Sequence, residues 1–217
     1  MNVIPRLLLM PAILIATLFG SAGRWDLPFF WAWIALFVLA AVVVLATLDR
    51  DLLRERIKPG PGGTDRHLRL FAMPFFLAHL IVAGLDVGRF HFSDSVPTWL
   101  QVAGLAGSAL GFSVSIWSMH VNRFFSPVVR IQSERGHYLI THGPYRCVRH
   151  PGYLSAMFVF PLGGLALGSW WALAPVGAAV LLLLRRTIIE DRFLQEHLAG
   201  YQAYTQRVRF RLVPGLW

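Results

Sequence analysis

Residues 27–48 read LPFFWAWIALFVLAAVVVLATL. No charged side chain interrupts the run. Its length meets the roughly 20 residues that a helix needs to cross the hydrocarbon core of a bilayer. Working outward, five more apolar stretches follow the same logic: Val3–Phe19, Leu68–Val87, Trp99–Met119, Tyr153–Gly168 and Trp170–Ile189. The last two meet at Gly168-Ser169-Trp170 and read as a tight helical hairpin. The first has Arg6 before its apolar run and Gly20-Ser21-Ala22-Gly23 behind it, the layout of a signal peptide; we read it as a first membrane helix. Composition agrees with this reading. The 217 residues are 56% hydrophobic and 14% charged, against about 25% charged in a soluble domain. Disorder, collagen and coiled coil are excluded. The expected fold is all-α and integral to the membrane. It has about six transmembrane helices, a C-terminal helical hairpin and a cytoplasmic amphipathic helix.

The charge is basic, with 20 Lys+Arg against 11 Asp+Glu, and Lys58 is the only lysine. Threaded through six crossings, eighteen of these cations fall on one side. They are Arg6, the loop from Arg50 to Arg69, the loop from Arg123 to Arg149, and the end from Arg185 to Arg211. Only Arg24 and Arg89 fall on the other side. Cytoplasmic loops carry such an excess, so both termini are expected in the cytoplasm. The basic balance then reads as orientation and contact with anionic lipid headgroups, not nucleic acid. Trp25, Trp31, Trp99, Trp170 and Trp171 mark an aromatic belt on the outer side. The run Pro59-Gly60-Pro61-Gly62-Gly63 breaks helix and marks a flexible connection. Two regions result: residues 1–120, with four spans, and residues 121–217, which hold the polar segments around the hairpin.

Cys147 is the only cysteine, so there is no internal disulfide or Cys-rich metal site. His137, His142 and His150 share a loop, but their spacing puts no two on one helix face, and no metal site is expected. His79 and Asp86 lie within span 3. They read either as part of a proton or ion path or as a packing histidine and an Asp86–Arg89 pair. The GxxxG pairs Gly107–Gly111 and Gly164–Gly168 read as close helix packing.

The informative segment is His137–Tyr153, HYLITHGPYRCVRHPGY. Pro151 suits the first position of a helix, and the N–H groups at that helix start form a candidate anion site beside His150. Helical rise of about 1.5 Å per residue carries the chain from His150 out to Gly168 and back from Trp171 to Glu190 at the same depth. Arg186 and Glu190, at i and i+4, share a face. His150, Arg186 and Glu190 therefore meet at one cytoplasm-facing mouth. The apolar positions Leu194, Leu198, Tyr201, Tyr204 and Val208 recur at helical spacing. They suggest an amphipathic helix on the membrane surface that could bring Tyr204 and Arg207 over the mouth.

These pieces resemble the isoprenylcysteine carboxyl methyltransferase and phospholipid methyltransferase superfamily. The resemblance rests on Gly143-Pro144-Tyr145, Arg149-His150-Pro151-Gly152-Tyr153, Arg186 with Glu190-Asp191 and Leu194, and the tail from Tyr201 to Gly215. Asn122 and Phe124-Phe125-Ser126 add to it, so it covers roughly residues 120–217. It implies S-adenosylmethionine as methyl donor, held by Gln132, His137, Tyr138, Leu139, Ile140, Tyr145, His150, Pro151, Gly152, Tyr153 and Glu190. It implies catalytic roles for Arg186, Glu190 and His150, and an acceptor site at Arg186, to which the roofing residues Tyr204 and Arg207 are added. The expected acceptor is lipophilic and enters from the bilayer, and is either a prenylated-cysteine-like carboxylate or a phospholipid amine. Ser155 and Asp191 depart from the pattern, standing where the family has Gly and a second Glu. A nicotinamide-dependent membrane reductase of the sterol reductase type, and a non-enzymatic transporter or assembly factor, are the alternatives.

Overall fold

The computed structural model describes residues 4–63 and 68–217. Val3 and Arg66, and the side chains of Arg6 and Arg69, lie outside the described residues. Eight α-helices order the described chain: α1 (Ile4–Ala22), α2 (Pro28–Thr47), α3 (Arg50–Ile57), α4 (Leu68–Leu85), α5 (Thr98–Val121), α6 (Pro151–Ala166), α7 (Leu173–His197) and α8 (Tyr201–Arg207). No strand occurs among the described residues. Each of the six expected spans is a helix. Three are long and apolar enough to cross a membrane: Pro28–Thr47, Met73–Phe90 and Thr98–Val121. Leu9–Ala22 and Pro151–Ala166 are shorter apolar helices.

Small residues set the closest packing. A methyl group on Gly104 of α5 would lie 2.6 Å from the Ala166 nitrogen and 2.7 Å from the Leu162 oxygen of α6. A methyl group on Gly107 or Gly111 would run into Leu162 or Val159. The expected packing role of Gly107–Gly111 therefore stands, with Gly104 added one turn earlier. Gly164–Gly168 is different. Gly168 lies past the end of α6 with φ +78°, so it shapes the α6–α7 turn instead of a helix face. A core of Leu14, Leu18, Phe30, Trp33, Leu80 and Ala83 packs around that turn, against Ala166, Leu167 and Ala172. The five tryptophans of the expected belt are all exposed at this same end of the bundle.

Two local readings change. Asp86 does not pair with Arg89. It is buried and accepts hydrogen bonds from Ser93 and Ser169, both at 2.5 Å. Arg89 Nε donates instead to the Ser21 carbonyl at 2.7 Å. Residues Asp86–Phe90 form a π-turn, and its wider winding rotates Arg89 off the face of Asp86. The expected loop from Arg50 to Arg69 also starts as a helix. Asp49 caps α3 by accepting from the Asp51 and Leu52 N–H groups. On α3, Glu55 is buried against Arg130, from the loop after α5.

Candidate active site

The polar end of the bundle is assembled from the segment between α5 and α6, the first turn of α6, the last turns of α7, and α8 with the tail. Asp191 on α7 holds these pieces together. It is 0% exposed. Arg149 grips it with two nitrogens at 2.8 and 3.1 Å. Arg211 Nε adds a bond at 2.9 Å, Tyr201 Oη one at 3.1 Å and Gln195 Nε2 one at 3.0 Å. His150 Nε2 lies 3.2 Å away. Burial pushes the Asp191 carboxyl up. The bonds from His150, Arg149 and Arg211 outweigh it and hold the group below the usual carboxylate range. Arg149 also donates to the carbonyls of Val208 and Arg209, and the backbone N–H groups of Arg149 and His150 donate to Phe210 and Arg211. The tail is thereby pinned to the segment that starts α6.

A carboxylate only accepts, so the His150 proton facing Asp191 sits on Nε2. His150 Nδ1 then points the other way, 3.9 Å from Glu190 Oε1. Glu190 immediately precedes Asp191 on α7, about 100° around the helix, and its side chain is 25% exposed. Tyr153 Oη donates to Glu190 and accepts from Arg186 Nε at 2.6 Å. Arg186 Nη2 donates to the Pro127 carbonyl at 2.7 Å, and its guanidinium lies 5.7 Å from the Tyr153 ring centre. The helical-rise argument thus places His150, Arg186 and Glu190 correctly, with Tyr153 as the hinge among them.

These groups line one cavity of about 590 Å³. His137, Tyr138, Leu139, Ile140, Tyr145, His150, Gly152, Tyr153, Arg186, Glu190 and Tyr204 are all on its wall. From this polar mouth the wall continues into Phe37, Phe76, Phe112, Val159, Phe160 and Val176. Tyr145 and Tyr204 are held together, since Tyr204 Oη donates to the Tyr145 carbonyl at 2.6 Å. Burial pushes both phenols up. Asn122 donates to Tyr145 Oη at 3.2 Å and caps the turn at Phe124, which stacks on His137. Burial, then the charges of Arg130 and Arg135, lower His137 to about 4.

Three expected site residues lie off the cavity wall. Gln132 is buried, with Nε2 donating to the Phe124 carbonyl at 2.7 Å and Oε1 accepting from Arg135 at 2.5 Å, so it shapes the loop. Pro151 is buried at the first position of α6. Arg207 is exposed on α8. α7 ends at His197, and Gly200 turns the chain with φ +79° before α8 begins. Leu194, Leu198, Tyr201, Tyr204 and Val208 still gather in one cluster, and Arg207, at the last position of α8, falls outside it. Tyr201 and Tyr204 turn inward, and Arg207 turns out. The apolar side of α8 is buried against Ile131, Leu139, Leu194 and Leu198. The expected anion site at the start of α6 is also reduced, because the Tyr153 and Leu154 N–H groups donate to the His150 carbonyl. What remains on the wall there is Gly152, where a methyl group would lie 2.5 Å from the Phe125 ring.

Sequence reading missed two ion clusters. One is Asp191 with Arg149 and Arg211; the other is Glu55 with Arg130. Arg130 binds Glu55 through Nε at 3.0 Å and Nη2 at 2.8 Å, and also reaches Glu134 at 2.6 Å. Ser126 and the Gly60 N–H complete the shell of Glu55. Desolvation raises Glu55, but the bonds from Arg130, Ser126 and Gly60 win and leave it at about 2. Arg130, Arg149 and Arg211 are thus each engaged by a buried carboxylate. Among the described residues, no group of three or more His, Cys, Asp or Glu is placed to hold a metal.

The fold and site define a class: a helical membrane protein whose cavity joins a polar, carboxylate-bearing mouth to an apolar interior. Residues 99–200 match the model of the phospholipid methyltransferase family. Ninety-three residues are 33% identical to the probable protein-S-isoprenylcysteine O-methyltransferase of Oryza sativa subsp. indica, and equally to that of Oryza sativa subsp. japonica. The match covers 40% of this chain and 46% of each relative, so it spans about half the length of those proteins. Over this region the chain is similar to the phospholipid methyltransferase family and to isoprenylcysteine O-methyltransferases.

Proposed function

We propose that the protein is an integral membrane methyltransferase that uses S-adenosylmethionine and acts on a lipophilic acceptor at the cytoplasmic face. The observation that carries this reading is the cavity, with Glu190, His150 and Arg186 at one end and an apolar wall at the other. The donor supplies an electrophilic methyl on a sulfonium, beside an ammonium and a carboxylate. The residues at the mouth fit these groups. Glu190 offers a partly exposed carboxylate to a cation, and its orientation is fixed by the Tyr153 hydroxyl. Tyr145 and Tyr153 present aromatic walls to a cation or a purine. His137, Tyr138, Leu139 and Ile140 line the same cavity.

Arg186 supports a carboxylate acceptor. Its guanidinium is fixed at the cavity wall by Tyr153 and Pro127, where it can orient an anionic oxygen. A carboxylate attacks without losing a proton, so the chain's contribution is orientation and exclusion of water. The acceptor's hydrocarbon lies along the apolar wall. That wall reaches the exposed Met73 of α4, which supports entry from the bilayer. Six crossings with both termini in the cytoplasm put the mouth on the arginine-rich side.

Donor binding by calorimetry tests the site. Replacing Glu190 or His150 by Ala should abolish S-adenosylmethionine binding without unfolding the protein; unchanged binding in both variants overturns the assignment. A radiolabelled methyl-transfer assay on membranes then separates base-labile ester from stable N-methyl product. Ester supports the carboxylate reading, and N-methyl product replaces it with an amine acceptor.

A further inference from the structure

The far end of the cavity contains two buried polar atoms that nothing in the site explains. Trp33 Nε1 and His79 Nε2 have no hydrogen-bond partner. Trp33 is 2% exposed and His79 is 1% exposed, yet both line the cavity. Around them the wall is apolar: Phe37, Phe76, Val159, Phe160, Val176 and Ala179. Both nitrogens approach Gly163 of α6. A methyl group built on Gly163 would lie 3.0 Å from Trp33 Nε1 and 3.6 Å from His79 Nε2.

Their hydrogen-bonding senses differ. Indole Nε1–H only donates. His79 Nδ1 lies 3.1 Å from the Ala172 carbonyl, which only accepts, so that nitrogen carries the proton. In the neutral ring Nε2 is then an acceptor. A donor and an acceptor therefore stand side by side at an otherwise hydrocarbon-like end. Leaving a buried polar atom unmatched is costly, and an apolar chain end would leave both unmatched. A carbonyl would satisfy only Trp33. A hydroxyl accepts from Trp33 and donates to His79, and satisfies both.

We propose that Trp33 and His79 form a distal specificity site that selects a methyl acceptor bearing a hydroxyl group at the far end of its hydrocarbon. This inference rests on the reading of the mouth as the methyl-transfer end. The spacing follows from α6, because Tyr153 and Gly163 are ten residues apart. That is about 15 Å of helix, roughly the reach of a dozen-carbon chain. The acceptor class is thus an ω-hydroxylated or similarly remote-hydroxylated amphiphile, with its anionic head at Arg186.

The test uses the full-length protein in nanodiscs, with dodecanoate and 12-hydroxydodecanoate as probes and calorimetry as the readout. Preference is the ratio of the two dissociation constants, compared between wild type and variant so that the differing hydration of the probes cancels. Trp33→Phe keeps the aromatic bulk and removes the donor. It should reduce the preference for the hydroxylated probe about tenfold, or about 1.4 kcal/mol, while dodecanoate binds as before and reports intact folding. Gly163→Ala puts a methyl group against both nitrogens and should reduce the preference similarly. An unchanged preference in both variants overturns the inference, as does wild type binding neither probe. S-adenosylmethionine titrated into the same wild-type sample reports separately on the mouth: donor binding with no distal preference sinks this inference alone, whereas absence of donor binding sinks the methyltransferase reading.

Discussion

Replacing Asp191 by Asn should destabilise the protein severely, although the side chain is not on the cavity wall. The carboxylate is wholly buried and faces five groups bearing polar hydrogens at 3.2 Å or less: Arg149, Arg211, His150, Tyr201 and Gln195. Arg149 is itself buried, so loss of the Asp191 charge strands a guanidinium away from water. Removing one partner of a buried ion pair costs about 3–5 kcal/mol, most of it the uncompensated charge left behind. In a chain of this size that corresponds to a fall in Tm on the order of 10 °C. The assay is thermal unfolding in detergent, followed by loss of the monodisperse peak in size-exclusion chromatography. The double variant Asp191→Asn with Arg149→Met is the control. It removes both charges, and should be less destabilised than the sum of the two single changes by about 1–3 kcal/mol. Strict additivity, or an Asp191→Asn protein as stable as wild type, would refute the view that one buried carboxylate clamps the tail onto α6. Acid should act in the same direction. Asp191 is held below its ordinary 3.8, so its contribution is complete above that value and is lost as pH falls toward the depressed folded value.

Three further outcomes are expected. Gly104→Val should disrupt the α5–α6 contact and cost about 2–3 kcal/mol or more, because the new side chain meets Ala166 and Leu162 backbone and not a flexible side-chain end; the same thermal assay reads it. Glu55→Gln should cost about 3 kcal/mol, at the lower end for a buried pair, since Glu134 still neutralises Arg130; proteolysis near Pro59-Gly60 should accelerate in parallel. His137 titrates near 4 when folded and near 6.5 when unfolded, so the unfolded chain binds more protons between those values and acidification through that window removes stability. His137→Asn should lessen the loss of stability between pH 6.5 and 4 by about 1–3 kcal/mol.

Much of the molecule is legible in the chain because its strongest signals are local. An uninterrupted apolar run such as residues 27–48 dictates helix, and Pro151 marks a helix start where it has no N–H to lose. The meeting of His150 with Glu190 is long-range, yet helical rise is regular enough to bring a hairpin back to its starting depth. What escapes such reasoning is partner choice among charges. Arg149 and Asp191 are 42 residues apart, and Glu55 and Arg130 are 75 apart. Eight charged-to-apolar residues beside a Pro-Gly run look like loop until a buried partner stabilises them as α3. Arg207 escapes such reasoning because it lies at the last position of α8, three residues beyond Tyr204 and outside the apolar stripe that the helical period marks.

The adjacent pair Glu190-Asp191 shows how one helix serves both stability and chemistry. Consecutive positions differ by about 100° around α7. One carboxylate therefore faces the tail, where two arginines, a histidine and a tyrosine saturate it, and the other faces the cavity. The saturated member fixes His150 through Nε2, and so determines that Nδ1 is presented toward Glu190. Asp191 in place of a second Glu is consistent with this division. Its shorter stem suits a carboxylate buried close to the helix axis and gripped at 2.8 Å. An Asp191→Glu variant separates the two roles. The extra methylene should strain the clamp by about 1–3 kcal/mol. If His150 is positioned through that clamp, donor affinity should fall as well, even though Glu190 is untouched. A variant that loses stability but binds S-adenosylmethionine as tightly as wild type would show that the two carboxylates act independently.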